Sequence, residues 1–377
     1  MSRKIASHYA LIDERLERNI IVEVDDTRRI VAIDKCSNLD SCANVEFYPG
    51  ILIPGMVNAH CHLELSYLKG AIAEGTGFAG FARAIGAVRN NYTIEERIAA
   101  ASLSDAQMWE EGVEAVLDIA NDELIMDVKR KSNIAYTTLF ELFGLTTQSL
   151  DNHLAMAQRH ARSSITPHST YSLQDQIFRD ACAANNAVIS VHLLESDDES
   201  ELYAHRGSLA EWYRRMGWEC DFLGYGSPAR RIAGSIERNR SVVLVHGCRA
   251  TEEDIATLNN HFINPVTWVL CPESNRYISG LTPPVTLLRQ MGSNIAIGSD
   301  SLSSARSLSI IDNLRQLNGI PLAELLGWAT IGGARALRMD DTIGSIAIGK
   351  RPGLAIIEGA DLHNMRLTEE SIAHRIL

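Results

Sequence analysis

The sequence lacks the cysteine patterns that mark disulfide-rich proteins and small zinc knuckles. Its 377 residues contain seven cysteines, an odd number, and these are scattered without one Cys-x-x-Cys pair. A disulfide framework needs paired cysteines, and knuckle-type zinc sites need closely spaced pairs of ligands. We therefore expect neither, and any metal site has to draw on other residue types.

Positive charge is also scarce. Lys and Arg number 35 against 47 Asp and Glu, which gives a formal net charge of -12. A general nucleic-acid binder neutralises phosphates with a basic face. The acidic balance therefore predicts that nucleic acid is not a partner.

Long apolar runs are missing as well. No segment offers the roughly 18 uninterrupted apolar residues that a membrane-spanning helix requires. The first residues, MSRKIASHYALIDERLE, carry charges where a signal peptide has its apolar run. The sequence therefore predicts a cytoplasmic protein without a membrane partner.

Short apolar runs, in contrast, recur along the chain and alternate with longer amphipathic stretches. Hydrophobic residues make up 46% of the sequence, which is enough for a large core. Runs rich in Val, Ile and Ala are typical of strands buried on both faces of a parallel sheet. Eight such runs occur, at 51–59, 112–119, 135–142, 163–168, 187–192, 241–246, 265–270 and 294–299.

This alternation predicts an α/β fold in which a (β/α)8 TIM barrel forms from residues 51–334. An open doubly wound sheet has the same alternation and remains an alternative. Between two of the runs, Thr93-Ile94-Glu95-Glu96 is a capping-box pattern and predicts a helix to about Glu111. The polar connection 206–238 predicts short helices over the mouth of the barrel.

The two ends of the chain have a different pattern. Residues 3–49 contain IIVEV and RIVAI, and residues 343–358 alternate around Gly349 and Gly353. Both patterns are typical of short β-hairpins. We predict a small composite β-sandwich domain built from residues 1–50 and 335–377.

Polar residues that suit a metal ion follow these runs at their C-terminal ends. His60 and His62 follow the first run, His192 and His246 end the fifth and sixth, and Asp300 follows the eighth. In a barrel all these ends lie on one face, where active sites form. Histidines two apart in an extended segment point to the same side. With a third histidine and a carboxylate they form a ligand set suited to zinc or ferrous iron.

Each of these residues also has a purely structural explanation. His-x-His alone is a weak signal, and a single histidine at a strand end is more often a hydrogen-bonded core residue. Asp300, in Gly-Ser-Asp-Ser, fits an N-cap equally well. The joint pattern favours the metal site, because a structural explanation has to place a ligand at the same end of several strands by coincidence.

Several stretches resemble the amidohydrolase superfamily, in its cytosine, guanine and adenosylhomocysteine deaminase and chlorohydrolase branch. PGMVNAHCH resembles the first-strand signature, and VHLLES resembles the His-x-x-Glu motif of that branch. Further similar stretches follow in the order of the branch: TPHSTY (166–171), VHG (245–247), CPESN (271–275) and GSDS (298–301). Two departures from the family pattern occur. Ser169-Thr170 replaces the common Ala-Pro next to His168 and concerns the pocket. Gly353 stands where relatives carry Asp and concerns only the terminal sheet.

The resemblance implies a barrel enzyme with one divalent metal ion. Zinc is the first choice, with iron or manganese as alternatives, held by the ligands His60, His62, His192 and Asp300. The stretch SSITPHST contains no lysine for the carbamate that bridges two metals in other branches. Among catalytic residues, the resemblance implies that Glu195 shuttles protons, that His246 orients the attacking water, and that Asp300 accepts a proton from it.

The segment HxHxE-x-S, with Glu64 after the second ligand, resembles aminofutalosine deaminases. The predicted substrate is therefore a small molecule with an aminopurine ring, an adenosine derivative such as aminofutalosine, adenosylhomocysteine or methylthioadenosine. Glu64, His168 and Asn275 are the predicted substrate contacts, and a homodimer is the prediction for assembly. A chlorohydrolase or a cyclic-amide hydrolase is the alternative, and a non-catalytic barrel scaffold ranks last.

Overall fold

The computed structural model describes residues 2–36, 42–146 and 149–377. Two parallel sheets of four strands each occupy the middle of the chain, with strand orders that follow the sequence. The first sheet contains β6 (Met56–Cys61), β7 (Val113–Ala120), β8 (Ala135–Leu142) and β9 (Ser163–Pro167). The second contains β10 (Ile189–Leu193), β11 (Val242–His246), β12 (Thr267–Leu270) and β13 (Asn294–Ile297).

The two sheets meet at both of their edges and close into an eight-stranded barrel. On one side, the His192 amide donates to the His168 carbonyl at 2.9 Å, next to a parallel bridge between Ser169 and His192. On the other side, the Asp300 amide donates to the His60 carbonyl at 3.1 Å, next to a bridge between Cys61 and Asp300. The predicted (β/α)8 barrel is therefore confirmed, and the open-sheet alternative is wrong because neither edge is left unpaired.

Helices lie between the strands, as the amphipathic stretches predict. The second one begins at the predicted capping box, in which the Thr93 side chain and the Glu96 side chain each bond the other residue's backbone. The described residues form α1 (Gly77–Val88), α2 (Ile94–Glu110), α3 (Met126–Lys131), α4 (Leu150–Gln158), α5 (Asp175–Ala184), α6 (Asp197–Tyr203), α7 (Gly207–Met216), α8 (Pro228–Ser235), α9 (Glu252–His261), α10 (Pro272–Ser279), α11 (Val285–Gln290), α12 (Ile310–Arg315), α13 (Leu322–Gly327) and α14 (Gly333–Ala336). None of the helices in the described ranges is long and apolar enough to cross a membrane.

Strands from both ends of the chain share one further sheet. Its order is β15-β14-β5-β1-β3-β4, with β2 paired to β1. The strands are β1 (Arg3–Ile12), β2 (Arg15–Glu17), β3 (Ile20–Val24), β4 (Ile30–Lys35), β5 (Val45–Pro54), β14 (Leu354–Glu358) and β15 (Ile372–Arg375). Apolar side chains from the two ends form one cluster, which includes Ile5, Val22, Leu52 and Ile356. The division of the chain into two domains remains a prediction.

The prediction of a hairpin within 343–358 is wrong, because the strand in this segment pairs with a strand outside it. Only 354–358 forms a strand, β14, and it pairs antiparallel with β15 near the end of the chain. The preceding segment turns at Gly344 (φ 81°), Gly349 (φ 91°) and Gly353 (φ 64°). Such positive φ angles suit glycine and interrupt an extended strand. β15 escaped prediction because it is short and lies at the sheet edge, where Ile372 is 50% exposed.

The first predicted run, 51–59, contains parts of two strands. Residues 51–54 belong to β5 and pair with β14, whereas β6 begins only at Met56. Gly55 separates them, and a Cβ there would lie 2.5 Å from the Pro352 carbonyl oxygen, so the backbones approach closely at this point. Apolar periodicity cannot reveal such a break, because both strands are buried on either side of it.

A buried ion pair holds the chain directly after β6. Asp118 of β7 accepts a hydrogen bond from the Leu63 amide at 3.0 Å through one oxygen, and pairs with Lys129 of α3 through the other. The side chains of Asp118 and Lys129 are 0% and 3% exposed. Since Leu63 follows His62 directly, this pair fixes the backbone beside two of the predicted metal ligands.

We predict that Lys129→Met destabilises the protein by about 3–5 kcal/mol, because it leaves the charge of Asp118 buried without its partner. The matched control is Arg130→Met on the same helix, whose ion pair with Asp127 is 70% and 67% exposed. An exposed pair of this kind contributes about 0–1 kcal/mol. Thermal and denaturant unfolding measure both effects, and equal losses in the two variants would contradict the role assigned to the buried pair.

Candidate metal centre and active site

The predicted metal ligands meet at one end of the barrel. His60 is the second-last residue of β6, and His62 directly follows that strand. His192 lies in β10, and Asp300 follows β13. The His192 Nε2 atom lies 3.2 Å from His60 Nε2 and 3.5 Å from His62 Nε2. Asp300 Oδ1 lies 3.9 Å from His60 Nε2 and 3.8 Å from His62 Nε2. The structure thus brings together all four residues that the sequence predicts as metal ligands.

The surrounding hydrogen bonds turn the ligand atoms toward a common centre. His192 Nδ1 lies 2.9 Å from the His168 carbonyl oxygen, which only accepts, so Nδ1 carries the proton and Nε2 presents a lone pair. Asp300 Oδ2 accepts from the hydroxyls of Ser274 at 2.6 Å and Ser304 at 3.2 Å. These bonds occupy one oxygen of Asp300 and leave Oδ1 for the ion.

The spacing and the protonation of the cluster both fit a divalent ion. Ligand atoms about 2.1 Å from a tetrahedral zinc are about 3.4 Å apart, close to the separations between the ligand atoms here. Burial, and then the neighbouring histidines, lowers the pKa of His60 well below its usual value. Burial likewise lowers the pKa of His62 to about 3. The histidines are therefore neutral at pH 7, the form that binds metal.

Two predicted catalytic groups lie beside the ligands. His246, at the end of β11, has a ring nitrogen within 4.8 Å of those of His60 and His192. Its Nε2 lies 3.9 Å from Glu195 Oε1, and its Nδ1 lies 2.8 Å from Asn275 Oδ1. Burial raises the pKa of Glu195 to about 7. A carboxyl with that pKa exchanges protons readily near neutral pH.

The predicted substrate contacts occupy different surroundings. His168 lies next to His192, with 4.6 Å between the ring centroids. Asn275 orients His246, and its Nδ2 is buried without a partner in the described part of the chain. Glu64 is 3% exposed, and both of its oxygens accept hydrogen bonds from Asn121, one from the backbone amide at 2.9 Å and one from the side chain at 2.8 Å.

Glu141 is a site residue that the sequence analysis missed. It lies at the end of β8, and its carboxylate and ring nitrogens of His168 and His192 are within 4.8 Å of one another. Burial, and then the charge of Glu64, raises the pKa of Glu141 to about 8. Its place at the C-terminal end of a barrel strand is the signal that identifies it, since the other site residues occupy the same position.

A second missed carboxyl, Glu199 in α6, holds the segment that carries Glu195. It accepts hydrogen bonds from the Leu194 amide and from the Thr170 hydroxyl. Leu194 has φ 52°, a conformation that costs energy for a residue with a branched side chain and persists only when its surroundings enforce it. Glu199 therefore fixes the backbone one residue before Glu195.

Comparison with known sequences finds similar proteins over most of the chain. The sequence profile described as the amidohydrolase family matches residues 51–373. The chain is 26% identical over 337 residues to a protein named adenosine deaminase from Helicobacter pylori, covering 82% of this chain and 79% of that protein.

Solved structures share the fold over nearly the whole length. A crystal structure of Helicobacter pylori aminofutalosine deaminase in complex with methylthio-coformycin has a TM-score of 0.82 at 23% identity and full coverage of both chains. Atrazine chlorohydrolase from Arthrobacter aurescens, complexed with zinc, has a TM-score of 0.74 at 16% identity, with 93% and 86% of the two chains covered.

We predict that the protein binds one divalent ion per chain and that His62→Ala abolishes this binding, because it removes one of four converging ligands. With free zinc at 100 times its dissociation constant, the ion should stabilise the wild type by about 2.7 kcal/mol. Metal analysis and thermal unfolding, with and without chelator, check both statements. His153→Ala on α4 is the control and should bind zinc as the wild type does, whereas a full complement of tightly bound zinc in His62→Ala would refute the ligand assignment.

A second prediction concerns the pH dependence of stability. Burial raises the pKa of Glu199 to about 8, from an ordinary value of 4.5. The unfolded chain loses this proton near pH 4.5 while the folded protein keeps it, so the stabilising contribution is lost as pH rises from about 4.5 through 8. Glu199→Gln does not titrate. Denaturant unfolding of the zinc-loaded proteins at pH 5.5 and 8.5 should show the wild type losing more stability than the variant, and parallel losses would contradict the shift.

Proposed function

From the premise that the chain belongs to the amidohydrolase family, we propose that it is a metal-dependent hydrolytic deaminase of an aminopurine nucleoside. The observation that carries this proposal is the convergence of His60, His62, His192 and Asp300 with Glu195 and His246 beside them. The name of the Helicobacter pylori relative, adenosine deaminase, supports the choice of substrate class. Aminofutalosine, adenosylhomocysteine and methylthioadenosine are the candidate adenosine derivatives, and a homodimer is the proposed assembly.

The overall reaction replaces an amino group with oxygen. A carbon–oxygen bond forms from water and the exocyclic carbon–nitrogen bond breaks. One proton of the water leaves with the nitrogen as ammonia, and the other stays on the ring nitrogen next to the new carbonyl carbon. When bound, a divalent ion, for which zinc is our first choice, lowers the pKa of a coordinated water to about 7 and so supplies the nucleophile at neutral pH.

The residues of the chain would then move the protons. Glu195 is the proposed proton shuttle, giving a proton to the ring nitrogen next to the attacked carbon, and its pKa of about 7 suits both directions of transfer. His246, held by Asn275 through Nδ1, presents Nε2 to orient the attacking water. Asp300 would accept a proton from that water and pass it to the departing ammonia.

Chlorohydrolases and cyclic-amide hydrolases are the alternative reading. The similarity to atrazine chlorohydrolase supports the shared fold, and the same ligand set serves both reactions. The products separate them, because a chlorohydrolase releases chloride and a cyclic-amide hydrolase releases a ring-opened acid. A non-catalytic scaffold ranks last, because all the proposed ligands and catalytic groups are present.

The decisive test of the substrate class is an ammonia-release screen. The zinc-loaded protein is assayed against adenosine, methylthioadenosine, adenosylhomocysteine, aminofutalosine, guanine and cytosine. We expect ammonia from one or more of the adenosine derivatives. Release from guanine or cytosine alone would overturn the choice of a purine nucleoside, and chloride release from a chlorotriazine without any deamination would favour the alternative.

We predict that Glu195→Gln lowers kcat by about 10²–10⁴-fold, because general acid–base catalysis contributes that much, and leaves folding and metal content intact. Asp197→Asn is the matched control, since Asp197 is 65% exposed and pairs with Arg249 outside the cluster. Steady-state kinetics, metal analysis and thermal unfolding measure the three properties. Turnover by Glu195→Gln at the wild-type rate would remove Glu195 from the mechanism.

A further inference from the structure

Glu141 is buried in the wall of the proposed active site. The residue is 5% exposed, which is close to the 7% exposure of His62, His192 and Asp300, three of the four proposed metal ligands. One carboxylate oxygen of Glu141 and one ring nitrogen from each of His168 and His192 all lie within 4.8 Å of one another. A ligand that reaches the metal cluster therefore comes within contact distance of Glu141.

The two oxygens of Glu141 have different surroundings. Oε1 accepts a hydrogen bond from the Asn121 side chain at 3.1 Å. Oε2 is buried without any hydrogen-bond partner among the described residues. A buried polar atom without a partner is costly, and such an atom at a binding site is commonly satisfied by the ligand. The proton-transfer mechanism proposed above does not use this oxygen.

Glu64 differs from Glu141 in this respect. Asn121 donates a hydrogen bond to each oxygen of Glu64, and the same side-chain amide also donates to Glu141. The three residues therefore form a chain in which Glu64 fixes Asn121 and Asn121 fixes Glu141. The sequence predicted Glu64 as a substrate contact, but of these two carboxyl groups it is Glu141 that has an oxygen without a partner among the described residues.

The chemistry of the proposed substrate class indicates what Glu141 would bind. In an adenine nucleoside, the unprotonated ring nitrogens are acceptors, and the 6-amino group is at the reaction centre. The remaining donors are the hydroxyls of the sugar. A hydroxyl both donates and accepts, so it pairs with a carboxyl group in either protonation state.

We propose that Glu141 is a specificity-determining residue that binds a ribose hydroxyl of the substrate, and that Glu64 and Asn121 hold it in place. The inference rests on the proposed function, because it takes the substrate to be a purine nucleoside. It implies that the enzyme selects ribonucleosides over nucleosides that lack the bound hydroxyl.

The test compares kcat/KM for adenosine, 2′-deoxyadenosine and 3′-deoxyadenosine in the zinc-loaded wild type and in Glu141→Ala and Glu141→Gln. In the wild type, loss of the bound hydroxyl should lower kcat/KM by about 10–100-fold, because it leaves an oxygen of Glu141 buried without a partner. In Glu141→Ala this preference should fall to within about threefold, because the variant lacks the partner of the hydroxyl. Glu141→Gln keeps the size of the side chain and should reduce the preference partly.

Glu111→Gln is the matched control. Within the described ranges, Glu111 also has a buried oxygen without a partner. It lies at the end of α2, outside the site, so its replacement should leave the preference unchanged. A hydroxyl preference that survives in both Glu141 variants, or that is absent from a wild type that deaminates nucleosides, would overturn this inference and leave the proposed function standing. A wild type that releases no ammonia from any purine nucleoside would overturn both.

Discussion

Four potential ligand atoms converge in a buried space at one end of the barrel. The Nε2 atoms of His60 and His62 lie near that of His192 and near one oxygen of Asp300, with separations of 3.2–3.9 Å. Without a cation such atoms repel one another, and burial prevents the histidines from taking up protons to relieve this. The arrangement is stable in the presence of a positive ion, which is why the metal chemistry follows from the geometry.

The same residues that hold the ligand atoms also close the barrel. The His60 carbonyl accepts from the Asp300 amide where β6 meets β13, and the His168 carbonyl accepts from both the amide and Nδ1 of His192 where β9 meets β10. Barrel closure and metal-site formation are therefore one structural event. The backbone is strained at the ends of three barrel strands, since Leu194, His246 and Asp300 all have positive φ angles. Strain of this kind persists where surrounding bonds enforce it.

The sequence predicts a site residue or a strand boundary only where neighbouring residues in the chain indicate it. His60, His62, His192 and Asp300 were predictable because each follows an apolar run, and the ends of such runs meet in a barrel. Glu141 has the same position at a strand end, but it was missed because it lies among apolar residues. Its hydrogen bond to Asn121, which is distant in sequence, is visible only in the fold. The break at Gly55 was hidden for a related reason, since apolar periodicity is the same on both sides of it.

The four glutamates of the site differ in how many of their carboxylate oxygens accept hydrogen bonds from the protein. Glu64 and Glu199 have both oxygens occupied by protein donors, and each restrains a neighbour, Asn121 in one case and Leu194 in the other. Glu141 has one oxygen without a partner, and Glu195 approaches His246 no closer than 3.9 Å. Because each oxygen of the first pair already has a protein donor, we assign that pair a supporting role and the second pair the contacts with substrate and water. The hydrogen bonds of the four glutamates thus distinguish roles that residue type alone does not separate.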